Sequence, residues 1–165
     1  MSFACIATNY ENLLTIYPSN GYSKEANEMS RIGNEMESVL SKSMTFDIRY
    51  DNILISLIHA FSESALDNWD GYGARATTFN SFIDASKFIK MIPPTFPIPE
   101  IDTEPNGGIL FEWRKGKKRI FSIIIEGDNN ITYAGLFGEN KTYGTEYFKN
   151  EIPKTILENI QRLFS

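Results

Sequence analysis

The chain of 165 residues carries 16 basic and 21 acidic side chains, a net charge of −5, with 42% apolar and 13% aromatic residues. That length fits one domain able to bury roughly 70% of its unfolded surface. The balance excludes a disordered chain, and the negative charge disfavours a general nucleic-acid binder, which carries a basic face. Cys5 is the one cysteine, so an internal disulfide is excluded.

The first ten residues lack a basic start and a signal-length apolar run. No stretch approaches the roughly 18 apolar residues of a spanning helix. Both features predict a cytoplasmic chain. Residues 1–22 form an N-terminal segment: Leu13, Leu14, Ile16 and Tyr17, then the turn chemistry of Pro18-Ser19-Asn20-Gly21. Residues 23–165 read as a single α+β domain.

Its first helix is predicted from Ser23 to about Met44. Ala26, Met29, Ile32, Met36, Val39 and Leu40 recur at helical spacing, and Ser23 is a capping residue. A second is predicted from Asp51 to about Leu66, with Leu54, Leu57, Ile58, Phe61 and Ala65 on one stripe and Ile53 and Ile55 widening it. A third begins at a cap on Thr77 or Thr78 and ends before Pro93-Pro94, because proline cannot donate to the helix ladder. Thr95 to Pro99 is a stiff extended connector.

The period then changes to two. Ile109, Phe111 and Trp113 alternate with Leu110, Glu112 and Arg114. Phe121, Ile123 and Ile125 alternate with Ile120, Ser122 and Ile124. Ile131, Tyr133 and Gly135 alternate with Thr132, Ala134 and Leu136. Tight turns at 115–118 and 127–130 join these strands into an antiparallel meander, and 142–148 is read as a further edge strand. A last helix follows Pro153, with Ile156, Leu157, Ile160, Leu163 and Phe164 on its stripe. The expected fold is α+β, with helices packed on one face of a three- to four-stranded antiparallel meander in two layers.

One loop stands out: Asn68-Trp69-Asp70-Gly71-Tyr72-Gly73-Ala74. Its glycines permit positive φ angles, and Asp before Gly is turn chemistry. The strand start Pro105-Asn106-Gly107-Gly108-Ile109-Leu110-Phe111-Glu112-Trp113 is a second distinctive segment. Together they resemble an uncharacterised bacterial protein family with an N-W-D-G-x-G-A loop, a proline-rich stretch and a P-x-G-G-I-x-F-E-W strand. The resemblance covers about residues 60–137 and implies no activity.

Trp69, Asp70, Tyr72, Glu112 and Trp113 are therefore candidate binding residues, on the premise that loop and strand converge at one end of the sheet. On the structural alternative, Asp70 caps a helix or bonds loop amides, Trp69 packs in the core and Glu112 takes a loop N–H or an arginine. Two carboxylates, Asp70 and Glu112, would suit acid–base work only if adjacent.

Arg114, Lys115, Lys117, Lys118 and Arg119 form the one dense positive patch, on a hairpin turn. It is either a phosphate contact for nucleic acid, a surface for an acidic protein, or a solvated turn that discourages edge aggregation. Arg114, Lys117 and Lys118 join the candidate binding set. His59, the only histidine, lies on a helix's polar edge and reads as a helix-surface or partly buried side chain, the alternative being a Cys5–His59 thiol nucleophile. No metal, phosphate-loop or dinucleotide signature is present, so no cofactor is expected.

These features predict a non-catalytic protein-binding module of a bacterial or phage-related system, of antitoxin, immunity or inhibitor type, since Trp, Tyr and Arg anchor interfaces. The alternatives are a small hydrolase or nuclease using Asp70 and Glu112, and a nucleic-acid binder acting through hairpin 114–119.

Overall fold

The computed structural model describes residues 48–165. The chain divides into two units at Phe46/Asp47, and all the described residues lie in the second. The segment read over 1–22, the helix read from Ser23 to Met44, and Cys5 lie outside the described residues.

The described elements are α1 (Ile48–Glu63), α2 (Phe79–Met91), β1 (Glu100–Thr103), β2 (Ile109–Gly116), β3 (Arg119–Ile125), β4 (Asn130–Phe137), β5 (Asn140–Tyr147) and α3 (Lys154–Phe164). Helix α1 buries Leu54, Leu57 and Phe61 along the expected stripe and Ile53 beside it. It stops before Leu66, which points into solvent. Thr78 caps α2: its Oγ1 accepts from the Ser81 N–H at 3.1 Å, satisfying one of the donors a helix start leaves open. At the other end the Ile92 N–H closes the last turn on Phe88 before Pro93. Pro153 opens α3, its carbonyl accepting from Ile156 and Leu157.

The five strands pair antiparallel in chain order, β1-β2-β3-β4-β5. The α+β class and the meander are as expected; the strand number exceeds the expected three to four. The strand missing from the sequence reading is β1. Four residues long, two of them acidic, it lies between Pro99 and Pro105, too short to display a period of two. β5 is the edge strand expected at 142–148, displaced by one or two residues.

The three described helices cover one face of the sheet. α2 packs on β2 and β3, α3 on β2, β3 and β4, and α1 on α2 and β1. Register aligns the covered face: Phe111 opposes Ile123, Trp113 opposes Phe121, and Ile109 opposes Ile125, which opposes Ile131. These side chains are buried, as are Ile156, Ile160 and Leu163 of α3. Phe88 of α2 is the hub: its ring centroid lies 5.3 Å from Phe111, 5.8 Å from Phe148 and 6.5 Å from Trp113. Burying one such ring contributes about 2–3 kcal/mol, and each tilted or edge contact adds about 0.5–1.5 kcal/mol.

Candidate functional site

The loop after α1 is built from positive-φ residues. Asn68 sits at φ 63°, Gly71 at 76° and Gly73 at 95°, a region that glycine enters freely and asparagine tolerates. Its polar side chains bond its own backbone. Asp70 Oδ1 accepts from the N–H groups of Tyr72 at 2.7 Å and Ala74 at 3.0 Å. Asn68 Oδ1 accepts from Gly73, and Asp67 Oδ1 from Ala76, each at 2.8 Å. The Tyr72 and Ala74 N–H groups favour the ionised carboxylate and hold Asp70 below its ordinary value of 3.8. A carboxylate bound this way is a weak proton acceptor near neutrality. Trp69 is half-buried, its Nε1 donating to the Arg75 carbonyl at 3.2 Å. Tyr72 is 95% exposed.

The two motif segments do meet, at the turn before β2. The Arg75 N–H donates to the Pro105 carbonyl at 2.9 Å, and Ser81 Oγ donates to the Gly107 carbonyl at 3.2 Å. Gly107 sits at φ 90°, where a Cβ would lie 2.9 Å from the Ala76 carbonyl oxygen. Gly127, in the β3–β4 turn, leaves only 2.5 Å between such a Cβ and the Ser81 nitrogen. The glycines let two turns approach the backbone at the start of α2. The paired motifs are thus a docking arrangement between loop, turn and helix.

Glu112 and Trp113 lie farther along β2 and on opposite faces. Glu112 is five residues past Gly107, roughly 16 Å of strand. It pairs with Arg114 and accepts from Ser122 Oγ at 3.1 Å. Trp113 is a core residue, 1% exposed, with Nε1 donating to the Pro97 carbonyl at 2.9 Å. Trp69, Asp70 and Tyr72 are together in the loop; Glu112 and Trp113 do not complete a site with them. Adjacent strand residues point to opposite faces, so one of Glu112 and Trp113 had to face the core.

The basic hairpin is largely engaged within the fold. Lys115 Nζ donates to the Phe164 carbonyl at 2.9 Å, and an Arg119 guanidinium nitrogen donates to the Arg162 carbonyl at 2.7 Å. Both cations thereby meet the negative C-terminal end of α3. Lys118 pairs with Glu139, and Arg114 with Glu112. Lys117 alone of the five has no side-chain bond among the described residues. His59 is exposed on α1. Among the described residues no three of His, Cys, Asp and Glu gather to hold a metal ion, and no helix is long and apolar enough to cross a membrane.

A surface that sequence reasoning missed is the face of the sheet opposite the helices. Leu110 opposes Ile124, Ile120 opposes Leu136, and the row Glu112–Ser122–Ala134–Tyr143 runs between these pairs. Leu110, Ile120, Ile124 and Leu136 are half-buried, while Tyr143 is 83% and Tyr147 64% exposed. The signal was present in β3: isoleucines occupy both phases of the alternation, which gives a sheet two apolar faces. No family model, curated protein or solved structure matches the chain.

Proposed function

We propose that this unit is a non-catalytic protein-binding module that works through the sheet face opposite the three described helices. The observation that carries the reading is the exposure of Tyr143 and Tyr147 on the same sheet face as half-buried Leu110, Ile120, Ile124 and Leu136. Exposed aromatic rings and aliphatic pairs, with Glu112 and Ser122 in the row between the pairs and Arg114 and Lys141 in the row of Ile120 and Leu136, give the mixed apolar and polar composition of a protein interface. The partner is another protein with its own apolar patch. By analogy with other small bacterial binding proteins, and not from the resemblance, which implies no activity, that partner is the other half of a bacterial or phage-related pair, such as a toxin or an enzyme held inactive, in the cytoplasm.

The candidate catalytic pair supports this reading less as chemistry than as architecture. Asp70 is bonded to loop amides and Glu112 to Arg114 and Ser122. The hairpin cations are similarly engaged, which weakens the nucleic-acid alternative.

Copurification of the full chain from its native host tests the proposal. The unaltered chain should retain one partner in stoichiometric amount. The double variant Tyr143→Ala, Tyr147→Ala should lose it while keeping its melting temperature. A chain that elutes alone at every salt concentration, or a partner retained equally by the variant, overturns the reading.

A further inference from the structure

We infer that the outer edge of β5 pairs with β5 of a second copy of the chain, antiparallel about a twofold axis, joining two five-stranded sheets into one. The inference concerns the strand edge and stands whether or not the open face binds another protein.

The two edges of the sheet are built differently. β1 has four residues, two of them acidic, and lies between prolines, with α1 packed against it. Shortness, charge, proline and a covering helix are the devices that stop an edge from recruiting another strand. β5 has eight residues, Asn140–Tyr147, without proline. Its principal neighbour among the described residues is β4.

The hydrogen-bond pattern identifies which groups face outward. The Phe148 N–H donates to the Asn129 carbonyl at 2.6 Å. That pair extends the β4–β5 register, in which Asn130 opposes Tyr147. Hydrogen-bonded and non-hydrogen-bonded pairs alternate along an antiparallel ladder. Thr142, Gly144 and Glu146 therefore point their amides toward β4. Lys141, Tyr143, Thr145 and Tyr147 point theirs outward, and their side chains stand on the open face.

A twofold axis normal to the sheet opposes only residues of the same face. With Gly144 opposite Gly144, Tyr143 opposes Thr145 and Lys141 opposes Tyr147 of the second copy. All four outward residues on each strand then exchange bonds, roughly eight in total. Lys141 reaches the Tyr147 ring of the second copy, a cation–π pairing. On the helix side Thr142 opposes Glu146. No like charges meet.

Neighbouring registers are poorer. A slip of two residues one way sets Lys141 against Lys149, and the other way carries Tyr147 past the strand end onto Glu139. Gly144 also suits the axis, because Cα atoms of a non-hydrogen-bonded pair approach to about 4.5 Å. The strand is complementary to itself, which singles out a second copy as its partner.

Sedimentation velocity and light scattering on the full chain, from about 1 to about 200 µM, test the inference across the range expected for a small interface. The mass should rise from 18.8 kDa toward twice that value. Thr145→Pro removes an outward N–H at a position where an edge strand tolerates proline. Tyr143→Lys places a second lysine on the edge and covers the case in which the proline variant fails to fold. Each variant that retains the native circular dichroism should dimerise at least about tenfold more weakly. A wild-type mass of 18.8 kDa at the highest concentration overturns the inference, as does a dimer undiminished in the folded variants.

Discussion

Gly107 and Ala76 approach so closely that a methyl group on Gly107 would lie 2.9 Å from the Ala76 carbonyl oxygen. The obstacle is backbone, held by the Arg75 N–H bond to Pro105 and by Thr77 N–H bonding to Ser64. Gly107→Ala therefore combines a strained φ with a clash that cannot move aside. It should cost about 2–4 kcal/mol in urea unfolding. Gly71→Ala, at φ 76° with open space around it, should cost about 1–2 kcal/mol from backbone strain alone. Equal losses for the two variants would mean that the turn does not press on the loop.

Asp70 should act through its charge as well as its shape. Its carboxyl is held below 3.8 by the Tyr72 and Ala74 amides, so the folded state binds its proton less tightly than the unfolded state does. The stabilisation is present above the unfolded value and is lost as pH falls through the lower, folded value. Asp70→Asn should melt below the wild type at pH 7, and the gap should narrow below about pH 3.8. Thermal melts of both proteins from pH 3 to 7 measure it. A constant gap across the range would show that ionisation plays no part.

The elements that position this loop were legible because each was long enough to show a period or carried a strong terminator. Thr78 and Pro93 bracket α2, and alternation from Ile109 onward marks β2, β3 and β4. β1 was illegible because four residues display no period and their partner choice is made by β2. The candidate site was half legible. The sequence marked the loop and the glycine turn as special, and they meet. That Asp70 bonds its own loop amides was one of the alternatives read there; the choice between that, a helix cap and a binding role turns on the φ values of Asn68, Gly71 and Gly73, which the sequence does not fix. Trp113 entered the candidate binding set on motif membership, although its phase already joined it to Ile109 and Phe111, and all three are core residues.

The two faces of the sheet should respond oppositely to truncation. Phe88→Ala empties the centre of an aromatic cluster that is fully buried, and should cost about 3–5 kcal/mol. Tyr147→Ala removes a side chain 64% exposed and should change stability by less than about 0.5 kcal/mol. Chemical denaturation of the two variants makes the comparison. A large loss for Tyr147→Ala would mean that its ring is part of the fold and not of a binding surface.

The hairpin cations provide the last prediction, because the structural and nucleic-acid readings require opposite results. Lys115 and Arg119 reach the Phe164 and Arg162 carbonyls, and Arg162 in turn lies over the Phe137 ring at 4.3 Å. These contacts tie the end of α3 to the β2–β3 hairpin and β4. Arg119→Ala should then lower stability by about 1 kcal/mol, the scale of a charge-assisted bond at a helix C-terminus. Reversing Lys117 and Lys118 to glutamate should leave stability nearly unchanged, since exposed pairs such as Lys118–Glu139 contribute about 0–1 kcal/mol. In a fluorescence titration at low salt, any binding of single- or double-stranded oligonucleotide should be weak and unaffected by that reversal. Tight binding abolished by Lys117→Glu, Lys118→Glu would transfer the hairpin from fold to function. It would do so on the strength of two lysines, one with no bond of its own in the described structure and one held only by an exposed ion pair.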